Sequence, residues 1–442
     1  MIDQTEEKGS YLSYFAQFER SLSGQSHSWL DPIRKEAIAR FETLGFPTTR
    51  DEEWRFTNVD PITQIPFKPA DPIPTSLTIS EISNFTVCEA RCTQLVFLNG
   101  FYCEKLSTVK YLPKDVRVKS LARALETDRF LLEPFLSRHA SFRNDTFTAL
   151  NTAFMADGAF VYLPPDTVLK DPIHILFLSS SLNDPTISAP RSLIVAEKGS
   201  QGSIVESYAA LDKGIYFTNA VTEICIGNNS VIDHYKLQRE SENAFHIATV
   251  QAAQEQDSSF TSHSLSLGGA LVRNNINVIL DGTGADCVLN GLYVTKGQQH
   301  ADNHTSIDHA KPHCTSRELY KGILDDASSS VFHGRIVVRK DAQKTNAKQT
   351  NKNLLLSKNA SINTIPQLEI LADDVKCTHG ATIGQINEEE LFYLRSRGID
   401  KDAARTLLSY AFATELLSAI RIKPIQCQVD LALLSRLSRA SK

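Results

Sequence analysis

No apolar run in this 442-residue chain approaches the roughly 18–20 residues that a membrane-spanning helix requires, so no membrane insertion is expected. The eight cysteines, Cys88, Cys92, Cys103, Cys225, Cys287, Cys314, Cys377 and Cys427, include no C-x-x-C pair, which removes the common zinc and redox signatures. In a reducing compartment they read as thiols, mostly small buried hydrophobes, not disulfides. Only Cys88, Cys92 and Cys103 lie close enough in sequence to suggest, loosely, a metal clip. No G-x-x-x-x-G-K-[ST] phosphate loop is present, no G-x-G-x-x-G follows a strand, and H-E-x-x-H and G-x-S-x-G are missing too. If nucleotide energy is used, a partner must supply it. Positive charge is not in excess: 46 Lys and Arg stand against 51 Asp and Glu, for a net charge of -5. That balance leaves no electrostatic footprint for nucleic acid or an anionic membrane. Residues 1–7 are acidic without an apolar core, so neither a signal peptide nor an Arg-rich transit peptide is read there, and a cytoplasmic location is expected.

What is present is ordinary for a folded protein, with 42% hydrophobic and 22% charged residues, over a length that exceeds one compact core. The first 60 residues carry helical spacing. Tyr11, Tyr14, Phe15 and Phe18 form an apolar stripe, and a second helix from Asp31 has Pro32 in its first turn and Gly45 at its end. Residues 61–75 are Pro-rich loop, residues 93–102 a strand reaching a turn, and residues 115–155 helix-like again. From about 160 to 375, short Val/Ile/Leu/Phe runs alternate with Gly/Asn/Asp/Ser clusters. Small residues mark the starts of strands at Ser200, Ser230, Ser258, Ala285, Ala327 and Ala360, spaced 30, 28, 27, 42 and 33 apart by subtraction. A period near 30 in a strand-rich region predicts a solenoid, favoured over a β-sandwich, and the spacing of 42 implies an insertion between 290 and 325. From 387 the pattern is helical. Asn387 and Glu390 make a capping-box-like start, Leu391 and Leu394 one face, and Gly398 the end. Asp400 starts a second helix with the stripe Leu407, Leu408, Ala411, Phe412, Leu416, Ile420, stopped by Pro424, and a third, short helix carries Leu431, Leu434 and Leu437.

Two constellations could carry chemistry. His300, His304, His309, His313 and Cys314, with His333 further on, combine imidazole and thiolate in the expected insertion, a set that suits zinc or iron. Their spacing matches no standard finger, and Asp302 and Asp308 can hold imidazoles by hydrogen bonds, so a hydrogen-bonded corner is favoured over a metal. The second is Cys377-Thr378-His379-Gly380 after Asp373-Asp374. Residues two apart on a strand share a face, so Cys377 and His379 can approach one metal or sulfur species; the alternative is a polar strand end.

Several long motifs coincide in one known pattern. They are the run 366–382 with its Asp373-Asp374-Val375-Lys376-Cys377-Thr378-His379-Gly380 centre and Leu391-Phe392-Tyr393-Leu394-Arg395-Ser396-Arg397-Gly398-Ile399. With them go Leu150-Asn151-Thr152-Ala153-Phe154, Asp302-Asn303-His304, Pro312-His313-Cys314-Thr315-Ser316, Leu319-Tyr320-Lys321-Gly322, Gln343-Lys344-Thr345 with Gln349-Thr350-Asn351, and Asp51-Glu52-Glu53-Trp54-Arg55. Together they resemble the SufD branch of the SufB/SufD family over about residues 43–420, most specifically over 290–400.

The resemblance implies a mainly β fold. A right-handed parallel β-helix core at 156–384 follows an N-terminal, mostly helical region at 1–155 and precedes a C-terminal helical domain at 385–442. It implies a non-catalytic subunit of the SufBCD complex of iron–sulfur cluster assembly. That subunit pairs with a SufB-like scaffold through the β-helix ends, docks a SufC-like ATPase on its C-terminal helices, and forms a homodimer when isolated. No cofactor would be held stably. A transient iron–sulfur cluster would form at the SufB–SufD interface, with His379 and, more weakly, Cys377 as candidate ligands, His379 closing the β-helix beside a turn at Gly380. SufB chains carry a Glu after this histidine and a Cys in the Phe-Tyr segment. Gly380 and Leu394 stand there instead, which favours SufD and argues against cluster building by this chain alone. A β-helix polysaccharide lyase or hydrolase is the alternative, but Asp373 and Asp374, adjacent on a strand, would face opposite sides and pair poorly. A free-standing metal-binding protein using the histidine cluster is a third reading.

Overall fold

The computed structural model describes residues 4–21, 29–72, 75–87, 92–110, 112–181 and 184–437. Its centre is a parallel β-solenoid of about seven turns. Nine helices among the described residues flank it: α1 (Gln4–Ser21), α2 (Asp31–Leu44), α3 (Asp60–Thr63), α4 (Leu121–Thr127), α5 (Arg129–Leu132) and α6 (Thr146–Phe154) before the full coils, and α7 (Glu388–Ser396), α8 (Lys401–Leu417) and α9 (Lys423–Leu437) after them.

The strands run β1 (Lys68–Pro69), β2 (Thr93–Leu98), β3 (Phe101–Tyr102), β4 (Arg117–Ser120), β5 (Ala159–Leu163), β6 (Ile173–Ser179), β7 (Thr186–Ser188), β8 (Arg191–Ala196), β9 (Gln201–Ala210), β10 (Tyr216–Ile226), β11 (Val231–Arg239), β12 (Phe245–Gln254), β13 (Ser259–Ser266), β14 (Leu271–Leu280), β15 (Asp286–Thr295), β16 (His300–His309), β17 (Thr315–Leu324), β18 (Ser329–Val338), β19 (Asn346–Leu355), β20 (Ser361–Ile370) and β21 (Lys376–Gln385). From β8 onward the chain alternates between two walls. Even-numbered strands stack as β8–β10–β12–β14–β16–β18–β20, and odd-numbered ones as β9–β11–β13–β15–β17–β19–β21, all parallel. Earlier segments extend both walls, β2 and β6 beside β9, and β4 and β5 beside β8.

The coil repeats because its corner repeats. Gly199, Asn229, Asp257, Gly284, His313 and Lys344 all have left-handed backbone, φ between 53° and 76°. Each is followed by a small, fully buried residue that opens an odd-numbered strand: Ser200, Ser230, Ser258, Ala285, Cys314 and Thr345. Hydroxyls close their own turns, Ser258 Oγ donating to the Glu255 carbonyl (2.7 Å) and Thr345 Oγ1 to that of Ala342 (2.8 Å), or tie one corner to the one before it, Ser230 Oγ donating to the Glu197 carbonyl (2.7 Å). These corners lie 30, 28, 27, 29 and 31 residues apart by subtraction. The expected insertion between 290 and 325 is therefore a misreading. β15, β16 and β17 follow at ordinary coil intervals, and the spacing of 42 arises because Ala327 adjoins a corner of the opposite wall, while Cys314, the true next marker, is not one of the Ser and Ala markers counted.

Alternate residues of both walls fill the lumen, where Leu95, Phe97, Ile204, Phe260, Cys287, Tyr293, Tyr320 and Phe332 share one apolar cluster. Glycine is required where aromatic rings lie across the neighbouring strand. Gly291 is in register with Tyr320, and a Cβ there would meet the ring at 2.1 Å; Gly322 stands in the same relation to Tyr293.

The N-terminal helices pack on the outer face of the even-numbered wall. Tyr11 and Phe15 of the expected stripe join Phe41, Trp54, Phe147, Phe217 and Phe245. A fully buried Arg191–Glu223 pair (2.6 Å) ties this region down, with Glu223 also accepting from the backbone N–H groups of Ser137, His139 and Ala140. At the other end, α8 and α9 lie on the outer face of the odd-numbered wall, where Leu416, Ile420, Val429 and Leu433 meet Leu237, Leu265, Leu292 and Ile323. Pro424 does not stop α8, which ends at Leu417; it lies in the first turn of α9, where a missing N–H costs nothing.

Six of the eight cysteines are free. Cys92 is disulfide-bonded, contrary to the expectation of thiols throughout; a bridge depends on local sulfur geometry as well as on compartment. Cys88 lies outside the described residues, so the loose clip of Cys88, Cys92 and Cys103 does too.

Candidate functional site

The two constellations lie at different places on the solenoid. Cys377 and His379 are on β21, the last strand of the odd-numbered wall, which among the described residues pairs with β19 alone. Register shows which way they face. Cys377 ends the column Cys287–Ser316–Ala347, and His379 ends the column Leu289–Glu318–Gln349, both columns lining the lumen. Cys377 is half-buried against Ile336, Val338, Ala342 and Ala347, and burial pushes its thiol pKa up. His379 is exposed. Gly380 does not make a turn, for β21 continues to Gln385. The last coil leaves apolar residues open as well, Ile370, Leu371 and Ile383 being 40%, 68% and 51% exposed.

Behind His379 the lumen is polar. Gln349 Nε2 donates to Glu318 Oε2 at 2.7 Å, and Gln349 Oε1 is buried without a hydrogen-bond partner among the described residues. Burial raises the Glu318 carboxyl from 4.5 to about 7. A carboxyl with a raised folded pKa binds its proton more tightly folded than unfolded. Its contribution is therefore fully present below about pH 4.5 and is lost as pH rises through 7, a difference on the order of 3 kcal/mol by pH 8. Glu318→Gln keeps the shape and an acceptor but cannot ionise. It should raise stability at pH 8 relative to pH 5 by up to that amount, read from urea unfolding midpoints; an unchanged pH dependence would contradict the assignment.

The histidines from 300 to 333 sit on regular coils and divide by strand face. His313 is a left-handed corner residue and Cys314 the buried plug behind it, its thiol donating to the Gly282 carbonyl (3.3 Å). His309 faces the lumen and meets Ser316 Oγ at 2.8 Å, burial lowering its pKa to about 4. His300, His304 and His333 face outward, where the Glu52–Trp54 turn covers them. Thr57 Oγ1 donates to Asp302 Oδ2 (2.6 Å) and lies 2.9 Å from His300 Nε2. Asp302 also holds Arg273 (2.7 Å), whose guanidinium lies 3.8 Å over the Trp54 ring. His304 stands between two carboxylates, Nε2 3.0 Å from Asp302 Oδ1 and Nδ1 3.1 Å from Glu53 Oε2. Burial pulls its pKa down, but Asp302 and Glu53 outweigh burial and leave it raised. The hydrogen bond to His304 in turn holds Glu53 at about 2. Sequence reasoning named the histidines and the Asp51–Arg55 motif separately, and no local signal shows that they meet across more than 240 residues.

Asp373 and Asp374 are not on a strand at all. They lie in the bend before β21, where Asp373 accepts from Gln343 (2.8 Å) and Asp374 pairs with Lys344. That removes the paired-carboxylate comparison on which the polysaccharide-cleaving alternative was weighed.

Fold and site together define a parallel β-helix protein whose chemistry-bearing side chains stand at an open last coil and on one outer wall. The chain matches the family model described as the SUF system FeS cluster assembly SufBD core domain over residues 177–412, and the SufBD protein N-terminal region over residues 5–175. It is 38% identical over 413 residues to an iron–sulfur cluster assembly SufBD family protein of Synechocystis sp., covering 92% of this chain and 90% of that one. It is 31% identical to Protein ABCI7, chloroplastic, of Arabidopsis thaliana (93% and 87% covered) and 29% identical to the iron–sulfur cluster assembly protein SufD of Escherichia coli (90% and 91% covered). The chain belongs to the SufBD family of iron–sulfur cluster assembly proteins. No helix among its described residues is long and apolar enough to cross a membrane.

Proposed function

We propose that this chain is a SufD-type subunit, a non-catalytic cytoplasmic partner that pairs with a SufB-like scaffold and docks a SufC-like ATPase in a SufBCD-type complex. The carrying observation is the last coil. Among the described residues β20 and β21 each have a strand on one side only, a ready template for a second sheet edge, and Cys377 and His379 share the lumen face of that coil. The nascent cluster is cargo and not a resident cofactor. The unpartnered Gln349 oxygen can accept an N–H from His379, which would fix the tautomer and leave the other nitrogen for iron. Gly380 and Leu394, where SufB chains carry Glu and Cys, support the SufD branch. The chain has no phosphate-binding loop, so nucleotide energy would enter through the ATPase. Without its partner the same edge would pair two copies of this chain.

Co-expression with SufB-like and SufC-like chains tests the assignment. One complex holding all three is expected. Elution of this chain alone or as a homodimer in the presence of both partners would overturn it.

A further inference from the structure

Glu53, His304 and His333 offer one ligand atom apiece, all within 4.8 Å of one another. Their arrangement is more specific than proximity. Glu53 Oε2 lies 3.1 Å from His304 Nδ1 and 3.6 Å from His333 Nδ1. Ligands at about 2.0–2.2 Å from a tetrahedral ion are separated by about 3.3–3.6 Å, so these atoms already stand near the edge lengths of a coordination shell.

Both imidazoles also have their far nitrogen occupied. His304 Nε2 is 3.0 Å from Asp302 Oδ1, and His333 Nε2 is 3.4 Å from Gln367 Oε1. In the ion-free site the His304 hydrogen bond runs from Nδ1 to Glu53, and Asp302 Oδ1 accepts none among the described residues; an ion taking Nδ1 would move the proton to Nε2, where an acceptor stands near each ring, as in carboxylate–histidine–metal triads. Asp302 is itself fixed by Arg273 and Thr57, and Arg273 also donates to the Glu53 carbonyl at 2.7 Å. Glu53, His304 and His333 themselves line a groove of about 560 Å³ that Asn275, Ser306 and Arg335 also border, with room for water or another ligand.

We infer that Glu53, His304 and His333 form a two-histidine, one-carboxylate site for a divalent transition cation, with an open position toward the groove. Nitrogen and oxygen ligands in this ratio suit Zn²⁺, Fe²⁺ and Co²⁺ and disfavour Ca²⁺ and Mg²⁺, which take oxygen. The site draws its carboxylate from the Asp51–Arg55 segment, so a bound ion would also pin the N-terminal region to β16 and β18. It stands on the outer face of one wall, independent of the roles proposed for Cys377 and His379.

The test uses the full chain carrying Cys377→Ser and His379→Ala, so that the last coil cannot supply the signal. Co²⁺ titration should saturate at one equivalent, with the visible absorption bands of a low-coordinate ion, and Zn²⁺ should displace it. Glu53→Gln and His333→Ala, each added singly, should weaken binding by about tenfold or more; the metal-free melting temperature should hold in His333→Ala, whereas Glu53→Gln loses the ion pair with His304 and should melt lower. His333 is the safer probe, since its contacts are the two long ones given above and an edge-on approach to the His304 ring, centroids 4.8 Å apart. Absence of the bands, or bands that persist in both variants, would overturn the site and leave His304 as a side chain held between two carboxylates.

Discussion

His379→Ala should leave the three-chain complex assembled and hydrolysing ATP, while iron–sulfur cluster formed per complex falls by about tenfold or more, the range expected when a metal site loses a ligand or the group that orients one. His379 is exposed, and substitutions at exposed positions away from special features change stability by only about 0.5 kcal/mol. The side chain ends a lumen column whose preceding members, Glu318 and Gln349, are already hydrogen-bonded to each other, so its removal leaves no buried charge behind. Cys377→Ala is the graded comparison. That thiol is half-buried with a raised pKa, hence less thiolate at neutral pH, and its loss should lower cluster yield less than the loss of His379. Complex yield and cluster content must be measured together. Normal cluster content per folded complex in His379→Ala would end the ligand reading, and a yield that falls in step with cluster content would make His379 a structural residue.

The solenoid was legible because its period is written in corner chemistry. A Gly, Asn or Asp before a Ser or Ala recurs near every 30 residues, since only a left-handed residue turns the chain and only a small one fits behind it. The pattern became unreadable at His313-Cys314 and Lys344-Thr345, where residues without that compositional bias occupy the same left-handed and plug positions. Two residues that look like metal ligands there are corner parts. The facing of Cys377 and His379 followed from the period of two along a strand, and their place on the last coil from the helical pattern that begins at 387, but the turn expected at Gly380 did not, since β21 runs on to Gln385. The meeting of Glu53 with His304 and His333 was beyond sequence for a related reason. It depends on where the N-terminal turn docks on a wall built 250 residues later, and that docking is set by distributed packing, the Trp54–Arg273 stack and the aromatic cluster around Phe147. The C-terminal helices were recognised from their spacing and caps, Asn387 and Asp400 accepting backbone N–H groups as expected. Their apolar stripe, however, on helices expected to dock the ATPase, is divided: Phe412, Leu416, Ile420 and Leu437 cover the protein's own wall, while Leu407, Leu431 and Leu434 stay exposed.

That reassignment changes where the ATPase can be sought. Deleting 387–442 would uncover Leu265, Leu292 and Ile323 and would report on folding instead of docking. The apolar surface that remains free is narrower. On α7, Phe392 is 73% and Tyr393 57% exposed; on α8 and α9, Leu407, Leu431 and Leu434 are exposed. Two aromatic residues on a helix capped by Asn387 make a compact anchor of the kind that dominates interface energies, each worth about 2 kcal/mol or more when truncated. Phe392→Asp combined with Tyr393→Asp should therefore weaken capture of the SufC-like ATPase by about a hundredfold or more. The melting temperature and pairing with the SufB-like scaffold should not change, because neither side chain contributes to the buried clusters. Leu431→Asp on α9 asks whether the contact extends to the other exposed ridge, and a smaller loss is expected there. The measurement is the dissociation constant for the ATPase together with the melting curve of each variant. Undiminished ATPase binding by the doubly substituted chain would remove α7 as the docking element.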